Sequence, residues 1–198
     1  MADILDDKGL DLLFRQARTH NGWVAGGEVS DAQLRAIYDI LKFGPTSANC
    51  SPARILFFRS PAAKERLRPF LSDGNLAKTM AAPVCALIAY DVEFYEHLPM
   101  LFPHDLTAKT WFNWSAAHAE ATAFRNGTLQ GAYLMMAARA IGLDIGAMSG
   151  FDNAGVDKEF FPDGKVKSNF LCNIGRGDES LLFPRHPKFS FDEVCKIL

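Results

Sequence analysis

A short apolar run near the middle of the chain limits the possible folds more than any other feature. Residues 84–90 read VCALIAY, lie between Pro83 and Asp91, and carry no charged side chain. A run of this length without polar alternation is typical of a strand that is buried on both faces of a sheet. The chain must therefore supply elements that cover both faces of that sheet.

Helical and strand patterns alternate along the rest of the chain. Further strands are predicted at 54–58, 145–148 and 168–174. The alternation predicts an α/β or α+β protein with a sheet flanked by helices. Helices are predicted over 3–14 with an interruption near Gly9, from the capping box of Ser30 and Gln33 to Gly44, over 62–71, 75–81, 116–141 and 152–161, and from Asp192 onward.

Length and charge exclude several classes of protein. A chain of 198 residues is enough for one domain with a full core. Its net charge of −2 and pI of about 6.2 give no overall basic surface for nucleic acid. The acidic N-terminus predicts no secretion signal, and no apolar run approaches the roughly 20 residues of a membrane span. We expect a cytoplasmic protein with four free thiols at Cys50, Cys85, Cys172 and Cys195.

Aromatic residues are concentrated between positions 93 and 115. This segment contains six aromatic rings and two prolines, and it shows no clean period. We interpret it as a short helix pair or lid. Two roles remain open from the sequence, a flap that fills core and a cover over a ligand pocket.

The segment 43–54, FGPTSANCSPAR, joins a helical pattern to a strand pattern. Its Gly, Pro, Ser, Thr and Asn residues are typical of a simple helix-to-strand turn. The same residues would also form a rigid polar ledge, because hydroxyl, amide and free backbone N–H groups match the edge of a flat heterocycle. Local chemistry leaves both interpretations open.

Several familiar catalytic motifs are missing from the sequence. The chain has no G-x-G-x-x-G after a strand, no Walker loop and no H-E-x-x-H, and its five histidines lack metal-ligand spacing. We therefore expect no metal site. Ser149 in the string GAMSG is one place away from the serine of a nucleophile elbow, which disfavours serine hydrolysis. What remains is a set of loop cations, Arg18, His20 and Arg185, of which the arginines would bind one phosphate if the fold brought them together.

Four segments, taken in order, carry a resemblance to a known family. Together they resemble the FMN-dependent nitroreductase family over essentially the whole chain. That resemblance implies an α+β nitroreductase-like fold, with a central, mostly antiparallel sheet flanked by helices. It also implies an intertwined homodimer with two FMN sites at the subunit interface. The segments are RTH at 18–20, PTSANCSP at 45–52, GLDIGAMSGFD at 142–152 and NIGRGD at 173–178.

The resemblance also implies which residues contact the flavin. No side chain is expected to act as a dedicated catalytic acid, since the flavin itself carries the chemistry. The expected contacts are Arg18, His20 and Arg185 at the phosphate; Pro45, Thr46, Ser47 and Asn49 as a ledge from the other subunit; Asn75 with Lys78 nearby; and Ser149 and Gly150 beside flavin N5.

Two positions depart from the family pattern. Typical members carry a Lys or Arg a few residues after the first arginine, near the pyrimidine edge of the flavin, whereas this chain reads Asn21-Gly22-Trp23. Typical members also carry Gln after the ledge, where this chain has Ser51. The first departure leaves open which residue supplies positive charge at that edge.

Finer similarities concern the reaction. Six strings are similar to family members that reduce malonic semialdehyde to 3-hydroxypropanoate in pyrimidine degradation, with NADPH or NADH as co-substrate. A substrate with a carboxylate needs a cation, and Arg54 and Arg125 are candidates by charge alone. A broad nitroreductase or quinone reductase and a non-catalytic FMN-binding protein are the alternatives. The six strings are THNGW, FGPTSANCSPAR, FYEHLPMLFPH, ATAFRN, MSGFD and KSNFLCNIG.

Overall fold

The computed structural model of the chain describes residues 3–198 and is organised around one four-stranded sheet. The strands are β1 (Ala53–Phe58), β2 (Val84–Asp91), β3 (Asp144–Met148) and β4 (Val166–Gly175). They lie in the order β1-β2-β4-β3, and every neighbouring pair is antiparallel. The predicted antiparallel sheet is thereby confirmed.

Helices cover the two faces of the sheet and its ends. Short 3-10 turns at Ser47–Asn49, Arg68–Phe70, Phe94–His97, Leu106–Trp111 and Glu179–Leu181 and a π turn at Asp11–Arg15 complete the chain. The helices are α1 (Asp7–Leu10), α2 (Asp31–Leu41), α3 (Pro61–Leu67), α4 (Asp73–Ala81), α5 (Leu98–Leu101), α6 (Ala116–Ala140), α7 (Asn153–Phe160) and α8 (Phe191–Val194).

The central strand β2 explains why the fold needs helices on both faces. All eight of its residues are buried. Ile88 packs in a cluster with Ile37 of α2 and Leu134 of α6, whereas Leu87 packs in a second cluster with Leu67 of α3 and Val156 of α7. Each fully buried Leu or Ile contributes about 1.5–3 kcal/mol relative to an exposed one. The interpretation of the apolar run at 84–90 as a strand buried on both faces of the sheet is therefore confirmed.

The longest helix, α6, covers the residues that the sequence predicted to be helical. Its sequence is apolar nearly all round from Leu129 onward, which predicted a helix that is central or lies in an interface. The structure buries one stripe of α6 against the sheet and leaves Phe124, Arg125, Thr128 and Leu129 exposed, and an interface on that side stays a prediction. The buried stripe also includes polar side chains, which connect α6 to the ledge.

The aromatic segment 93–115 consists of short helical turns around a small third core. Phe94, Leu98 and Ala108 are fully buried there, together with Ala123 of α6. Met100, Leu106 and Trp114 remain mostly exposed on its outer side. The inner half is thus a core-filling flap, and the outer half is free to face a ligand or a partner.

Among residues 3–198, no helix combines the length and the apolar composition that crossing a bilayer requires. The four cysteine thiols are free, as predicted, and Cys50, Cys85 and Cys172 are buried. Met1 and Ala2 lie outside the residues that the structure describes. The prediction that the chain forms one domain stays a prediction.

Candidate functional site

The ledge between α2 and β1 has an unusual backbone. Ala48, Asn49 and Ser51 have φ angles of 48°, 52° and 38°, in the left-handed region. A residue with a Cβ pays about 1–2 kcal/mol for that conformation. Several such residues close together persist only where the surrounding structure holds them, and this is common at ligand sites.

Three side chains of α6 hold the ledge in place. Oδ1 of Asn126 accepts from the Ser47 N–H at 2.9 Å, and Oε1 of Gln130 accepts from the Ala53 N–H at 2.8 Å. The hydroxyl of Tyr133 donates to the Pro45 carbonyl at 2.9 Å. Positions 126, 130 and 133 share one helical face, so the ledge is fixed by a single stripe of α6.

A close approach between helix and ledge requires glycine at position 44. A Cβ on Gly44 would lie 2.1 Å from Cδ2 of Tyr133. Beyond this anchor, Pro45, Ser47 and Asn49 are exposed. The ledge is therefore rigid along its buried side and polar along its open side, as the second interpretation of the sequence predicted.

Asn49 of the ledge also contacts the aromatic segment. Its side-chain amide donates to the Leu101 carbonyl at 2.8 Å. Asn49 is the last residue of the 3-10 turn Ser47–Asn49, and Leu101 is the last residue of α5. The ledge and the aromatic segment are thus linked by a hydrogen bond, which the sequence did not indicate.

The first loop and the C-terminal tail hold each other through two arginines. Arg18 donates to the Phe183 carbonyl, and Arg185 donates to the Ala17 carbonyl at 3.3 Å. Neither guanidinium forms an ion pair with any residue in 3–198. The structure therefore places these two candidate residues side by side, with their positive charges uncompensated.

His20 lies in a different environment from Arg18. Its imidazole is only 4% exposed, and Nε2 lies 3.5 Å from Oδ1 of Asp144. Its Nδ1 is buried and has no hydrogen-bond partner within residues 3–198. Its side chain packs against Gly177, so this structure aims it inward, and a direct phosphate contact for His20 stays a prediction.

The turn after β3 presents backbone donors. The N–H groups of Ser149 and Gly150 donate no hydrogen bond within the part of the chain that the structure describes. The Gly150 carbonyl accepts from the Ser72 N–H at 3.2 Å and from the Asn75 amide at 2.8 Å. These contacts fix the turn and leave its N–H groups available to a ligand.

Lys78 lies three residues beyond Asn75 on α4 and is half-buried. Its Nζ donates to Oδ1 of Asn21, so α4 brings the Lys78 ammonium to the first loop. The structure therefore gathers Arg18, Asn75, Lys78, Gly150 and Arg185 around the first loop and α4. It does not join them to the ledge, since no hydrogen bond or ion pair links the two groups within residues 3–198.

The two arginines considered for a substrate carboxylate differ in availability. Arg54 forms an ion pair with Asp91, a carboxylate that also lies 3.6 Å from Nε2 of His97. Arg125 is exposed on α6 and makes no ion pair within residues 3–198. Because Arg54 is already paired, Arg125 is the better candidate of the two.

Residues 3–198 contain no group of three or more His, Cys, Asp and Glu side chains placed to hold a metal ion. Burial raises the pKa of the Cys50 thiol, within the ledge segment 43–54, to about 11, although its hydrogen bond with Thr46 opposes this shift. The Cys50 thiol is therefore protonated at neutral pH and is a poor nucleophile.

Comparisons with known proteins agree with this geometry. The Nitroreductase family model matches residues 25–175. A relative from Polynucleobacter asymbioticus, named by inference an NADH dehydrogenase/NAD(P)H nitroreductase, is 58% identical over 198 residues and covers both chains completely. The chain therefore belongs to the Nitroreductase family.

Solved structures show the same fold at low sequence identity. A Bacillus subtilis protein assigned by inference as a nitroreductase has a TM-score of 0.89 and 17% identity, covering 98% of this chain and 100% of its own. An Exiguobacterium sibiricum protein with the same assignment was solved in complex with FMN. It has a TM-score of 0.86 and 15% identity, and it covers both chains completely. The predicted nitroreductase-like fold is thereby confirmed.

Proposed function

We propose that this protein is an FMN-dependent NAD(P)H oxidoreductase that works as a homodimer and reduces malonic semialdehyde. Family membership and the NAD(P)H-based name of the Polynucleobacter relative support the redox class. The FMN held by the Exiguobacterium structure supports the choice of cofactor. The residues of this chain decide whether that cofactor fits.

The proposal of FMN as the cofactor depends on two guanidinium groups that form no ion pair within residues 3–198. Arg18 and Arg185 donate only to backbone carbonyls, so both are available to a dianionic phosphate. Arginine binds phosphate bidentately, and its charge-assisted hydrogen bonds are roughly twice as strong as neutral ones. The phosphate of FMN would thus be held between the first loop and the tail.

The ring of the flavin fits the groups around α4. The free N–H groups of Ser149 and Gly150 are suited to a ring nitrogen acceptor, and the amide of Asn75 and the ammonium of Lys78 lie along the same helix. Bound FMN would supply two-electron redox chemistry with NADPH or NADH as donor. The protein residues would bind the phosphate, orient the ring and hold an acceptor against it.

A homodimer would complete the site. The ledge is exposed, strained and unconnected to the cations of its own chain. It would reach the flavin of the second copy, with Pro45, Thr46, Ser47 and Asn49 along its edge. The exposed apolar side chains on α6 and after α2 are suited to that interface, including Phe124, Leu129 and Phe43.

The proposed acceptor is 3-oxopropanoate, which is reduced to 3-hydroxypropanoate as NAD(P)H is oxidised. The support is the resemblance of six sequence strings to reductases of pyrimidine degradation. Arg125, exposed and unpaired within residues 3–198, offers a cation for the substrate carboxylate. Arg125 adjoins Asn126, whose side chain holds the ledge.

A broad nitroreductase or quinone reductase is the second candidate. The name of the Polynucleobacter relative favours it, and so do the exposed aromatic side chains of Trp111 and Trp114, which suit flat acceptors. The two candidates share the cofactor and the donor, and they differ only in the acceptor.

Anaerobic reduction followed by rapid mixing separates these possibilities. Purified protein is reduced with one equivalent of NADPH or NADH and is then mixed with 3-oxopropanoate, a nitrofuran or a quinone. We expect flavin absorbance that bleaches with NAD(P)H and recovers fastest with 3-oxopropanoate. Faster recovery with the nitrofuran or the quinone would favour the second candidate. Bound flavin that never bleaches would indicate a carrier, and protein that takes up no FMN would exclude the proposal.

A further inference from the structure

The helix α4 is seated on the sheet by a single buried side chain. Of the nine residues of α4, all within the described part of the chain, only Thr79 is buried, and its exposed fraction is 0%. Leu76, on the same helix, is only partly buried against the second core cluster. Apolar contact therefore holds α4 weakly, and the groups around the Thr79 hydroxyl decide how the helix sits.

The Thr79 hydroxyl bonds to two strands at once. Nδ2 of Asn173, on β4, donates to the Thr79 hydroxyl oxygen at 3.4 Å, and that hydroxyl donates to Sδ of Met148, on β3, at 3.5 Å. A hydroxyl has one proton to donate and can also accept, so both bonds form together. Hydrogen bonds are directional and apolar packing is not, so these two bonds fix the rotation of α4 about its own axis.

Asn173 is an unfavourable residue for a position that only fills space. Its side chain is fully buried, and its Oδ1 has no hydrogen-bond partner within residues 3–198. An unpaired buried amide oxygen costs free energy, so packing alone would favour an apolar side chain between β4 and α4. The one side-chain hydrogen bond of Asn173 within the same residues goes to Thr79, which indicates that holding Thr79 is its role.

The bonds of Thr79 lie beside the turn at Ser149 and Gly150. Asn75 and Thr79 are four residues apart, so they share one face of α4, and this face meets the end of β3. The Asn75 amide donates to the Gly150 carbonyl at 2.8 Å, and a Cβ on Gly150 would lie 2.6 Å from the Asn75 amide nitrogen. Met148 directly precedes Ser149. The helix is thus tied to the chain on both sides of Ser149, through Asn75 after it and through Thr79 before it.

We propose that Thr79 and Asn173 are positioning residues for the α4–turn edge, which consists of Asn75 on α4 and the N–H groups of Ser149 and Gly150. This inference rests on the proposed function, in which that edge contacts the flavin ring. The buried bonds hold the helix and the turn in one register before any ligand arrives. The apparent dissociation constant varies inversely with the fraction of molecules in the binding-competent arrangement, so a fixed register strengthens binding of the ring.

The test separates binding of the ring from binding of the phosphate in the full-length apoprotein. FMN and riboflavin share the ring and only FMN carries the phosphate, so the ratio of the riboflavin to the FMN dissociation constant reports on the phosphate end alone. The variants are Thr79→Val, which removes the hydroxyl at nearly constant shape, and Thr79→Ser, which keeps the hydroxyl. Thr122→Val is the matched control, because Thr122 is a buried threonine of α6 whose hydroxyl forms no hydrogen bond within residues 3–198.

We expect Thr79→Val to weaken the binding of FMN and of riboflavin about tenfold each, since it also leaves the buried Asn173 amide without its partner. Thr79→Ser and Thr122→Val should stay within about threefold of the wild type for both ligands. The ratio of the two constants should stay within about threefold in every variant, because the phosphate end is untouched. Damage that spreads to the phosphate end would instead lower this ratio and would exclude a role limited to the ring.

Several results would overturn the inference and leave the proposed function intact. A Thr79→Val protein that binds riboflavin as tightly as the wild type would exclude a role for Thr79 in ring binding. Equal losses in Thr79→Val and Thr79→Ser would show that side-chain shape matters and the hydroxyl does not. An equal loss in Thr122→Val would show a general effect of removing a buried hydroxyl. A wild type that binds FMN and no riboflavin would show that the α4–turn edge has no affinity for the ring.

A different result would remove the proposed function and this inference together, namely a wild-type protein that binds neither FMN nor riboflavin. If Thr79→Val fails to fold, Met148→Leu decides in its place. This substitution removes only the sulfur acceptor at nearly constant volume, a change that cores tolerate well. It should show the same loss for both ligands, and affinities equal to those of the wild type would exclude the role of the buried bonds.

Discussion

At the scale of single residues, the site depends on cations that the chain leaves unneutralised. Arg18 and Arg185 each donate to a carbonyl in the segment that carries the other. Neither guanidinium forms an ion pair within residues 3–198, so both keep their charge for a phosphate. A phosphate bound by both arginines would also join the two segments, so affinity for FMN and the loop–tail contact should be coupled.

Arg18→Ala should weaken the binding of FMN at least tenfold. A hydrogen bond to a charged group contributes about 1.5–3 kcal/mol, and each 1.4 kcal/mol corresponds to tenfold in affinity. Quenching of FMN fluorescence on titration of the apoprotein measures the dissociation constant. Arg35→Ala is the matched control, because Arg35 is exposed on α2 away from the first loop. Equal affinities for the two variants would contradict a phosphate role for Arg18.

Cys50 predicts a specific dependence of stability on alkaline pH. Burial raises the pKa of its thiol from 9.0 to about 11. Between pH 9 and pH 11 the unfolded chain loses this proton before the folded chain does, so the free energy of unfolding falls as pH rises. The free energy of unfolding that is lost through Cys50 reaches about 2–3 kcal/mol near pH 11.

Urea denaturation at pH 8 and pH 11 checks this effect. Cys50→Ala should lose less stability than the wild type over the interval, because the variant lacks the group that titrates. Cys195→Ala, at an exposed thiol, should follow the wild type. Identical losses in the wild type and Cys50→Ala would show that this thiol does not carry the effect.

At the scale of elements, the first loop is seated on β3 by an unusually close contact. The His20 N–H donates to the Ile145 carbonyl, and a Cβ at Gly146 would lie 2.3 Å from the His20 carbonyl oxygen. That neighbour is backbone and cannot swing aside. The loop that carries Arg18 and Asn21 therefore owes its position to the absence of a side chain at residue 146.

Gly146→Ala should lower the free energy of unfolding by about 1–3 kcal/mol, the usual cost of overpacking. The substitution should also displace the first loop and weaken the binding of FMN. Gly74→Ala, on α4, is the control, because a Cβ there meets nothing within 4 Å and alanine favours helix. Denaturant unfolding of both variants measures the difference, and a Gly146→Ala variant as stable as Gly74→Ala would refute the close contact.

At the scale of the whole molecule, apolar surface remains exposed beside the ledge. Phe43 is 81% exposed, Phe124 is 49% exposed and Leu129 is 41% exposed. The tail adds Phe183 and Phe189, which are also largely exposed. A second copy of the chain would cover this surface and would bring its ledge to the cations of the first copy.

Leu129→Asp should therefore shift the protein from dimer to monomer and should reduce the binding of FMN in parallel. A charge buried at an interface without a partner costs several kcal/mol. Sedimentation velocity measures the mass in solution, and flavin absorbance measures occupancy. Ala154→Asp, at an exposed position on α7 against the other face of the sheet, is the control and should stay dimeric. A monomeric wild type that holds FMN fully would exclude a shared site.

The sequence by itself determined the local elements and the chemical types of the candidate site. Apolar periodicity and the capping box of Ser30 and Gln33 are local signals, so the strands and most helices were predicted to within a few residues. Only the tertiary structure decided that Arg18 and Arg185 each bond to the segment that carries the other. It also decided that His20 turns inward and that Asn126, Gln130 and Tyr133 hold the ledge. These contacts join segments far apart in the chain, and residue spacing carries no information about which distant side chains the packed core brings together.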